Sequence, residues 1–233
     1  MTLNTERVAA FWRFVCERHA IFVRRHLRNQ EPPWTDDPIL RVVRFTNIYR
    51  DLDRVTRWLT VKVVPKLAWS AADRAFNILV YRRFCIPAVF DAIGGPRAVS
   101  EWDWRAVLET LRVRQESGER IFTGAFMLTS ANWHRPKREL VVHYLQDAAR
   151  TWASTWKNAV AAPSLQFAHR ALLPVPGLGG FMAYELLIDC CQTLLLPHSL
   201  DDWVFVGPGA QRGAEAVAGR PLTQGGAADV VAW

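Results

Sequence analysis

Hydrophobic residues recur at helical spacing along most of the chain, and the strict alternation typical of a strand is almost absent. The pattern predicts an amphipathic helix over 5–29 and a second helix from Pro38 to about Leu59. Further helices are predicted at 71–84, from Pro87 onward, and at 102–115, 137–160 and 181–195. The segment between Gly118 and Gly124 fits either a short strand or a loop. The predicted fold class is therefore mainly α.

The composition indicates a globular protein with a basic surface. Half of the 233 residues are hydrophobic, and eleven are tryptophan. We expect a single domain over 1–218, followed by a Gly- and Ala-rich flexible tail over 219–233. The formal net charge is +7, mostly from arginine. Arginine binds two phosphate oxygens at once, so the charge favours nucleic acid as a partner, although codon usage in a GC-rich genome also enriches arginine.

The four cysteines have no spacing that is typical of a zinc site, and the histidines do not cluster. We therefore predict neither a metal nor another cofactor, and we interpret the cysteines as reduced core residues. The chain has no signal-peptide pattern and no apolar run long enough to cross a membrane. These features predict a cytoplasmic protein of a bacterial or phage-infected cell, with no membrane partner.

Two glycine–proline segments lie close together near the C-terminal end, at 173–179 and 206–213. A Pro-Gly-apolar-Gly turn that opens a helix exposes backbone N–H groups at the positive end of the helix dipole. The first segment contains Pro176-Gly177-Leu178-Gly179, so we expect it to bind an anion such as a DNA phosphate. The second we expect to form a wall of the active site.

Three arginines and an amide fall on one side of the predicted second helix. At about 100° per residue, an apolar stripe from Phe45 to Leu59 leaves the opposite face to a polar group, formed by Asn47, Arg50, Arg54 and Arg57. This face suits a phosphate backbone or a phosphorylated substrate. The alternative is a solvated face on which nearby aspartates pair with the arginines. An acidic turn at 35–37 precedes it, and its carboxylates either cap the helix or take part in chemistry.

The first glycine turn resembles the helix-hairpin-helix element of the DNA glycosylase superfamily. In that element an L-P-G-hydrophobic-G turn binds a DNA phosphate, and a catalytic aspartate follows about twenty residues later. Asp201 and Asp202 lie at that distance, and we favour Asp202; Asp189 falls within the next predicted helix. Gly180 departs from the pattern, because a polar or basic residue is usual there. The resemblance implies that Gly177, Leu178 and Gly179 contact the DNA backbone.

Longer motifs narrow the resemblance to a phage-associated group. The stretches at 33–58, 176–185 and 202–213 are similar to the alpha-glutamyl/putrescinyl thymine pyrophosphorylases, whose relatives include the helical domain of 5-hydroxymethyl-deoxyuridine DNA kinase. This resemblance implies a DNA glycosylase-like helical fold and work on hypermodified thymine in DNA. It further implies a reaction in which an amine or amino acid replaces a phosphate or pyrophosphate on 5-hydroxymethyluracil.

Such chemistry assigns a role to each candidate residue. Arginines would hold the departing phosphate, a carboxylate would deprotonate the amine, and aromatic rings would stack on a base outside the duplex. The phosphate-binding candidates are Arg50, Arg54, Arg57 and Arg212. Asp202 is the catalytic candidate, with Asp36 in reserve. Asn47 either recognises a pyrimidine edge or holds a turn. The stacking candidates are Trp34, Tyr49 and Trp203.

The expected partners are double-stranded DNA with modified thymine and an amine or amino-acid donor. The chain lacks the G-x-x-x-x-G-K-[ST] motif of a P-loop kinase, so phosphorylation would require a separate P-loop DNA kinase. Two alternatives to a transferase follow from the same motifs. One is a non-catalytic DNA-binding helical module that serves such a kinase, and the other is a DNA glycosylase.

Overall fold

The computed structural model describes residues 3–63, 69–124 and 134–232. Every regular element in these ranges is helical, which confirms the mainly α fold class. The α-helices are α1 (Thr5–Phe22), α2 (Pro38–Val42), α3 (Arg54–Lys62), α4 (Ala71–Phe84), α5 (Pro87–Ala92), α6 (Trp104–Glu116), α7 (Lys137–Val160), α8 (Leu165–Leu172), α9 (Gly180–Gln192), α10 (Pro208–Ala218) and α11 (Gln224–Ala232). Short 3-10 or π turns cover Val23–Leu27, Arg50–Leu52 and Val99–Glu101.

The chain divides into two compact units, and the boundary falls within α3. Unit 1 comprises residues 1–57 and 206–233, and unit 2 comprises residues 58–205. This grouping differs from the predicted single domain over 1–218 with a tail over 219–233. The predicted tail includes α11, which packs against α10 and buries Ala227 completely.

Unit 2 contains most of the buried side chains. Helix α4 lies at its centre, where every residue from Ala75 to Phe84 is buried, and it packs against α5, α7 and α9. The helix begins at a capping box in which the Ser70 and Asp73 side chains each bind the other's backbone N–H group. Trp152 of α7 donates its indole N–H to the Ala72 carbonyl at 2.7 Å, which satisfies the polar atom of a buried ring.

Unit 1 buries few side chains and exposes many arginines. Asn4 caps α1 by accepting a hydrogen bond from the Arg7 N–H group, and its own N–H group donates to the Val217 carbonyl at 2.8 Å. Two stretches that are far apart in sequence are thus joined. Residues 1–57 carry eleven arginines, no lysine and seven carboxylates. The unit therefore combines a small core with a basic surface.

The predicted helix from Pro38 to Leu59 is wrong. Helix α2 ends at Val42, a loop follows, and α3 begins only at Arg54. Asp53 accepts a hydrogen bond from the Thr56 N–H group at 2.8 Å, so it starts a new helix rather than continuing an old one. The β-branched pair Val42-Val43 lies at the break, and Val43 is extended. Periodic apolar residues thus spanned two helices and the loop between them.

Other local predictions have mixed outcomes. The helix at 71–84 is confirmed, 137–160 forms one continuous helix, and residues 119–124 form a loop. Cys85, Cys190 and Cys191 are buried thiols outside any disulfide, as predicted, whereas Cys16 is exposed on α1. None of the described helices is both long enough and apolar enough to cross a membrane.

Candidate nucleic-acid interface

A cavity of about 780 Å³ lies in unit 1 between the second half of α1 and residues 32–47. Four arginines line it, Arg18, Arg25, Arg41 and Arg44, together with the aromatic rings of Phe22, Trp34 and Phe45. We call it the arginine cavity. All its lining residues belong to the described ranges, and none of them is Asp or Glu. A space lined by cations and rings without a carboxylate suits an aromatic anion.

Arg18 and Asn47 fix the wall of this cavity. The Arg18 guanidinium donates to the Phe45 carbonyl at 3.0 and 3.2 Å, and to the Asn47 side-chain oxygen at 2.7 Å. The Asn47 amide in turn donates to the Leu52 carbonyl at 3.0 Å. Asn47 therefore holds the loop between α2 and α3. The sequence allowed two roles for Asn47, recognition of a pyrimidine edge or stabilisation of a turn. These hydrogen bonds show that it stabilises the loop.

The charges on Arg18 and Arg25 are not neutralised within the cavity lining. Burial lowers the pKa of Arg18, and the neighbouring charge of Arg25 lowers it further. Arg25 lies over the Trp34 ring, 4.8 Å from the centroid, so the ring face supplies weak compensation. Two like charges held close together without an adjacent carboxylate create a positive potential, which an anion would relieve.

Trp34 is held rigidly between two different environments. Its indole N–H donates to the Gln30 carbonyl at 2.7 Å, and its own carbonyl accepts from Arg24 at 2.6 Å. Trp34 lines the arginine cavity. It also lines a second cavity of about 1030 Å³, whose lining includes the carboxylate residues Glu17, Asp36 and Asp37. We call this second space the acidic cavity.

Each carboxylate of the acidic cavity already has a partner. Hydrogen bonds from Arg24 and Thr35 lower the pKa of Glu17. Asp37 caps α2 by accepting from the N–H groups of Ile39 and Leu40 at 2.8 and 2.9 Å. Asp36 is fully exposed and pairs with Arg41 at 3.0 Å. The two aspartates thus have different roles: Asp37 starts a helix, and Asp36 is a solvent-facing carboxylate.

The structure places only some of the predicted residues of unit 1 together. Trp34 and Asn47 line the arginine cavity, and Asp36 lines the acidic one. The remaining candidates line neither cavity; these are Tyr49, Arg50, Arg54, Arg57 and Arg212. Because the predicted helix is broken, the four polar residues do not form one helical face: Asn47 lies in a loop and Arg50 in a 3-10 turn, while α3 carries only the last two arginines.

Tyr49 and Arg212 are both exposed in unit 1. The Tyr49 ring meets the edge of His19 at 5.1 Å. Arg212 lies on α10, because the predicted second glycine turn is the start of that helix, with Gly207 as its N-cap. Proline at the first helical position favours this arrangement. The wall predicted at 206–213 is therefore the first half of a helix.

The first glycine turn, in unit 2, connects α8 to α9. Gly177 has a φ of +71°, and a Cβ atom there would lie 2.5 Å from the Tyr144 ring. Only glycine fits this position. Gly179 is different: a Cβ atom built there has no neighbour within 4 Å. It caps α9 without a side-chain hydrogen bond, so the first N–H groups of α9 lack a side-chain acceptor.

Buried Arg83 lies beneath this turn. It donates to the Gly177 carbonyl at 3.0 Å, and its Nε atom has no hydrogen-bond partner among the described residues. Burial lowers its pKa to about 10. The helix-hairpin-helix pattern usually has a polar or basic residue where this chain has Gly180. The structure gives a reason for glycine there, because a Cβ atom at this position would lie 2.7 Å from the Phe205 ring. A larger side chain at 180 would displace that ring.

Asp202 and Trp203 lie beyond α9 in unit 2. Asp202 is exposed, and its charge adds to the burial that raises the pKa of Cys191 to about 11. Trp203 packs on His169 at 4.9 Å and meets the Tyr184 ring edge-on at 5.6 Å. Trp203 thus belongs to an aromatic cluster. Asp189, the competing carboxylate, is buried within α9 and paired with Arg82, as its position in a helix suggested.

Sequence reasoning missed most residues of the arginine cavity. Arg18 and Arg25 are seven positions apart, the spacing that brings two helical side chains to the same face. Arg41 and Arg44 lie within the stretch at 33–58 that carries the resemblance, but neither was assigned a role. The available signal was the absence of acidic residues between Pro38 and Tyr49, a stretch that carries two arginines.

Comparison with known proteins places the chain in a family. The family described as "5-hmdU DNA kinase, helical domain" matches residues 5–233. The chain belongs to this family. A 5-hmdU DNA kinase of Bacillus phage SP10 is 33% identical over 225 residues, which cover 86% of this chain and 34% of the phage protein. This family member thus spans about a third of the curated relative's length. No solved structure matches it.

Proposed function

We propose that this helical-domain protein acts in thymine hypermodification, by binding DNA and holding a phosphorylated 5-hydroxymethyluracil nucleotide in the arginine cavity. The observation that carries the proposal is the cavity lining, which has four arginines and four aromatic rings, one of them the imidazole of His26, but no carboxylate. Aromatic rings suit the base, and arginines suit the phosphate on its exocyclic carbon. The phage relative is a 5-hmdU DNA kinase, which fits a modified thymine as the substrate.

The arrangement supports binding more directly than catalysis. Asn47 is engaged in the loop, and the lining of the arginine cavity has no carboxylate; among its side chains other than arginine, only His26 can gain or lose a proton near neutral pH. We therefore favour a non-catalytic DNA-binding helical module, and we assign phosphorylation to a P-loop kinase that works with it. Arg54 and Arg57, both exposed on α3, and exposed Arg212 would contact the DNA backbone.

The glycine turn of unit 2 supplies a further proposed backbone contact. Its exposed glycine at 179 leaves room for close approach, and the N–H groups of α9 point outward from an uncapped start. The buried charge of Arg83 adds positive potential beneath the turn. These features support Gly177, Leu178 and Gly179 as a phosphate-binding segment.

One observation favours a transferase as the second candidate. Asp36 is a fully exposed carboxylate in the acidic cavity, and only the wall formed by Pro33, Trp34 and Thr35 is common to both cavities. An amine donor bound there would lie next to the wall that also lines the cavity proposed for the phosphorylated base. Asp202 remains a proposed catalytic residue in unit 2. Formation of an amine adduct on DNA that contains 5-phosphomethyl-deoxyuridine, followed by mass spectrometry, tests this candidate.

The main proposal is tested by fluorescence anisotropy with three duplexes that differ at one base: thymine, 5-hydroxymethyluracil or its phosphorylated form. We expect the phosphorylated duplex to bind about tenfold more tightly than the thymine duplex, because a charge-assisted contact is worth at least ~1.4 kcal/mol. Arg25→Gln should remove this preference. Arg220→Gln removes an exposed arginine of the same unit that lines neither cavity, and it should retain the preference. Equal binding of all three duplexes would contradict the proposal.

A further inference from the structure

Aliphatic side chains project into water at the mouth of the arginine cavity. Val42 and Val43 line the cavity, yet they are 80% and 46% exposed, and Ile39, three positions before Val42, is 59% exposed. We call these three residues the valine edge. Single exposed hydrophobic residues are common on protein surfaces, but a contiguous exposed group beside a cavity usually marks a contact surface.

Local hydrogen bonds hold the valine edge in place. Asp37 caps the start of α2, and Pro38 occupies its first position. The Arg41 guanidinium donates to the Thr35 carbonyl at 2.8 Å, which fixes the helix against the preceding turn. The aliphatic groups are therefore presented on a fixed support rather than on a free loop. A rigid apolar projection can enter a close-packed partner with little loss of conformational entropy.

The surroundings of the valine edge indicate which partner it meets. The cavity beside it has four arginines and no carboxylate, and Arg44 follows Val43 directly. Arg41 pairs with Asp36, but an apolar protein surface would cover the charges of Arg18 and Arg25 without a carboxylate in the cavity lining, whereas the phosphates of a DNA duplex match them. An apolar side chain flanked by arginines is the combination with which proteins separate stacked bases.

We propose that Val42, supported by Ile39 and Val43, enters the base stack of double-stranded DNA and fills the space left by a nucleotide that moves into the arginine cavity. This inference rests on the proposed function, because the displaced nucleotide occupies the cavity assigned there. It adds a separate role: the arginines and rings hold the nucleotide, and the valine edge keeps the gap in the duplex from closing. No covalent step is involved.

The experiment uses a duplex in which 2-aminopurine lies beside the 5-phosphomethyl-deoxyuridine, because 2-aminopurine fluorescence rises when the neighbouring base leaves the stack. The wild-type protein should produce this rise. Val42→Ala should reduce the fluorescence rise and weaken duplex binding about tenfold, because unstacking is no longer compensated. Val42→Leu, which keeps the apolar bulk, should restore both. Val61→Ala removes the same atoms from a valine that is 65% exposed on α3 and should match the wild type.

A second measurement separates the valine edge from the cavity. The free nucleotide, 5-phosphomethyl-deoxyuridine monophosphate, needs no unstacking, so Val42→Ala should weaken its binding far less than it weakens duplex binding, even though Val42 also lines the cavity. Circular dichroism would verify that the variant is folded. Free-nucleotide binding by the wild type without a fluorescence change on the duplex would overturn the valine-edge role alone. Failure of the wild type to bind the free nucleotide would overturn the cavity assignment and this inference together. Wild-type behaviour of Val42→Ala on the duplex would also overturn the inference.

Discussion

Arg82 of unit 2 and Arg18 of unit 1 are compensated in opposite ways for their removal from water. In unit 2 the Arg82 guanidinium donates two hydrogen bonds to Asp189, at 2.7 and 2.8 Å, and both side chains are almost fully buried. In unit 1 Arg18 is partly buried beside Arg25, and the cavity that they line has no carboxylate. The charge of Asp189 raises the pKa of Arg82, whereas burial lowers that of Arg18. The charge of Arg82 is thus compensated within the fold, whereas an arginine that lacks a counter-charge is available for an anionic ligand.

The largest expected effect comes from breaking the neutralised pair. Asp189→Ala leaves the buried Arg82 charge without its carboxylate, and we expect the free energy of unfolding to fall by about 3–5 kcal/mol. Urea denaturation measures this change. Glu109→Ala removes an exposed carboxylate that pairs with Arg112 at 2.6 Å, and its effect should be far smaller, because solvent screens an exposed pair. Similar losses in the two variants would contradict the contrast between structural and surface pairs.

The glycine turn offers a comparison between two adjacent positions. Gly177→Ala forces an L-residue into a left-handed conformation and places its Cβ against the Tyr144 ring, so it should cost about 2 kcal/mol or more. Gly179→Ala meets open space and should change stability by less than about 0.5 kcal/mol. If the turn binds the DNA backbone, Gly179→Ala should nevertheless weaken duplex binding. Equal losses of stability in the two variants would contradict the predicted difference between a crowded and an open Cβ position.

The glycine turn shows which features of this site could be predicted from the sequence and which could not. The proline and glycine spacing located the turn and the start of α9, because those residues act through local backbone geometry. The motif could not show that Arg83, 94 positions before Gly177, donates to its carbonyl. It could not explain Gly180 either, since the cause is the Phe205 ring. Contacts between residues that are distant in sequence depend on how the helices pack.

In unit 1 the sequence pattern failed to predict a local element, the break between α2 and α3. Apolar periodicity from Phe45 to Leu59 was real, but it did not reveal the Asp53 cap that starts α3. The predicted arginine face therefore joined residues that belong to a loop, a 3-10 turn and a helix. Trp34 and Asn47 were found because their motif was recognised. Arg18 and Arg25 were not, because a charge on an amphipathic helix carries no sign of whether a counter-charge will lie nearby.

Removing an arginine that lacks a counter-charge should affect binding rather than stability. Arg25→Met takes away the charge that lowers the pKa of Arg18 and keeps apolar contact with Trp34, so the free energy of unfolding should stay the same or rise slightly. DNA affinity should fall, and the slope of log K against log salt should decrease by about 1. A clear loss of stability would contradict the assignment of Arg25 to a ligand site.

Arg54 on α3 tests whether the basic surface outside the cavity contributes to DNA binding. Arg54→Ala should weaken binding to all duplexes alike and lower the salt slope by about 1, because a phosphate contact carries no sequence information. It should leave the preference for the phosphorylated base unchanged, which distinguishes it from Arg25→Gln. An unchanged salt slope would favour a solvated face at this position.

The smallest expected effect concerns His169 in unit 2. Burial disfavours the charged form of this residue, as it does for Arg83. Burial lowers the pKa of His169, and the charge of Arg170 lowers it further, although the Gly180 carbonyl, 2.8 Å from Nε2, acts in the opposite direction. The unfolded chain therefore binds the proton at a higher pH than the native protein does. Stability from this residue is complete above the unfolded pKa of ~6.5 and is lost as the pH falls towards the lower native pKa.

His169→Gln keeps a side-chain N–H donor for the Gly180 carbonyl but does not titrate. Melting temperatures of the two proteins, measured from pH 7.5 to 5, should diverge slightly as the pH falls, with the wild type losing more. Parallel curves would show that the native protein accommodates the charged imidazole as easily as the unfolded chain. In that case the positive charge of His169 would be tolerated in unit 2 without a carboxylate partner, unlike the charge of Arg82, which is paired with Asp189.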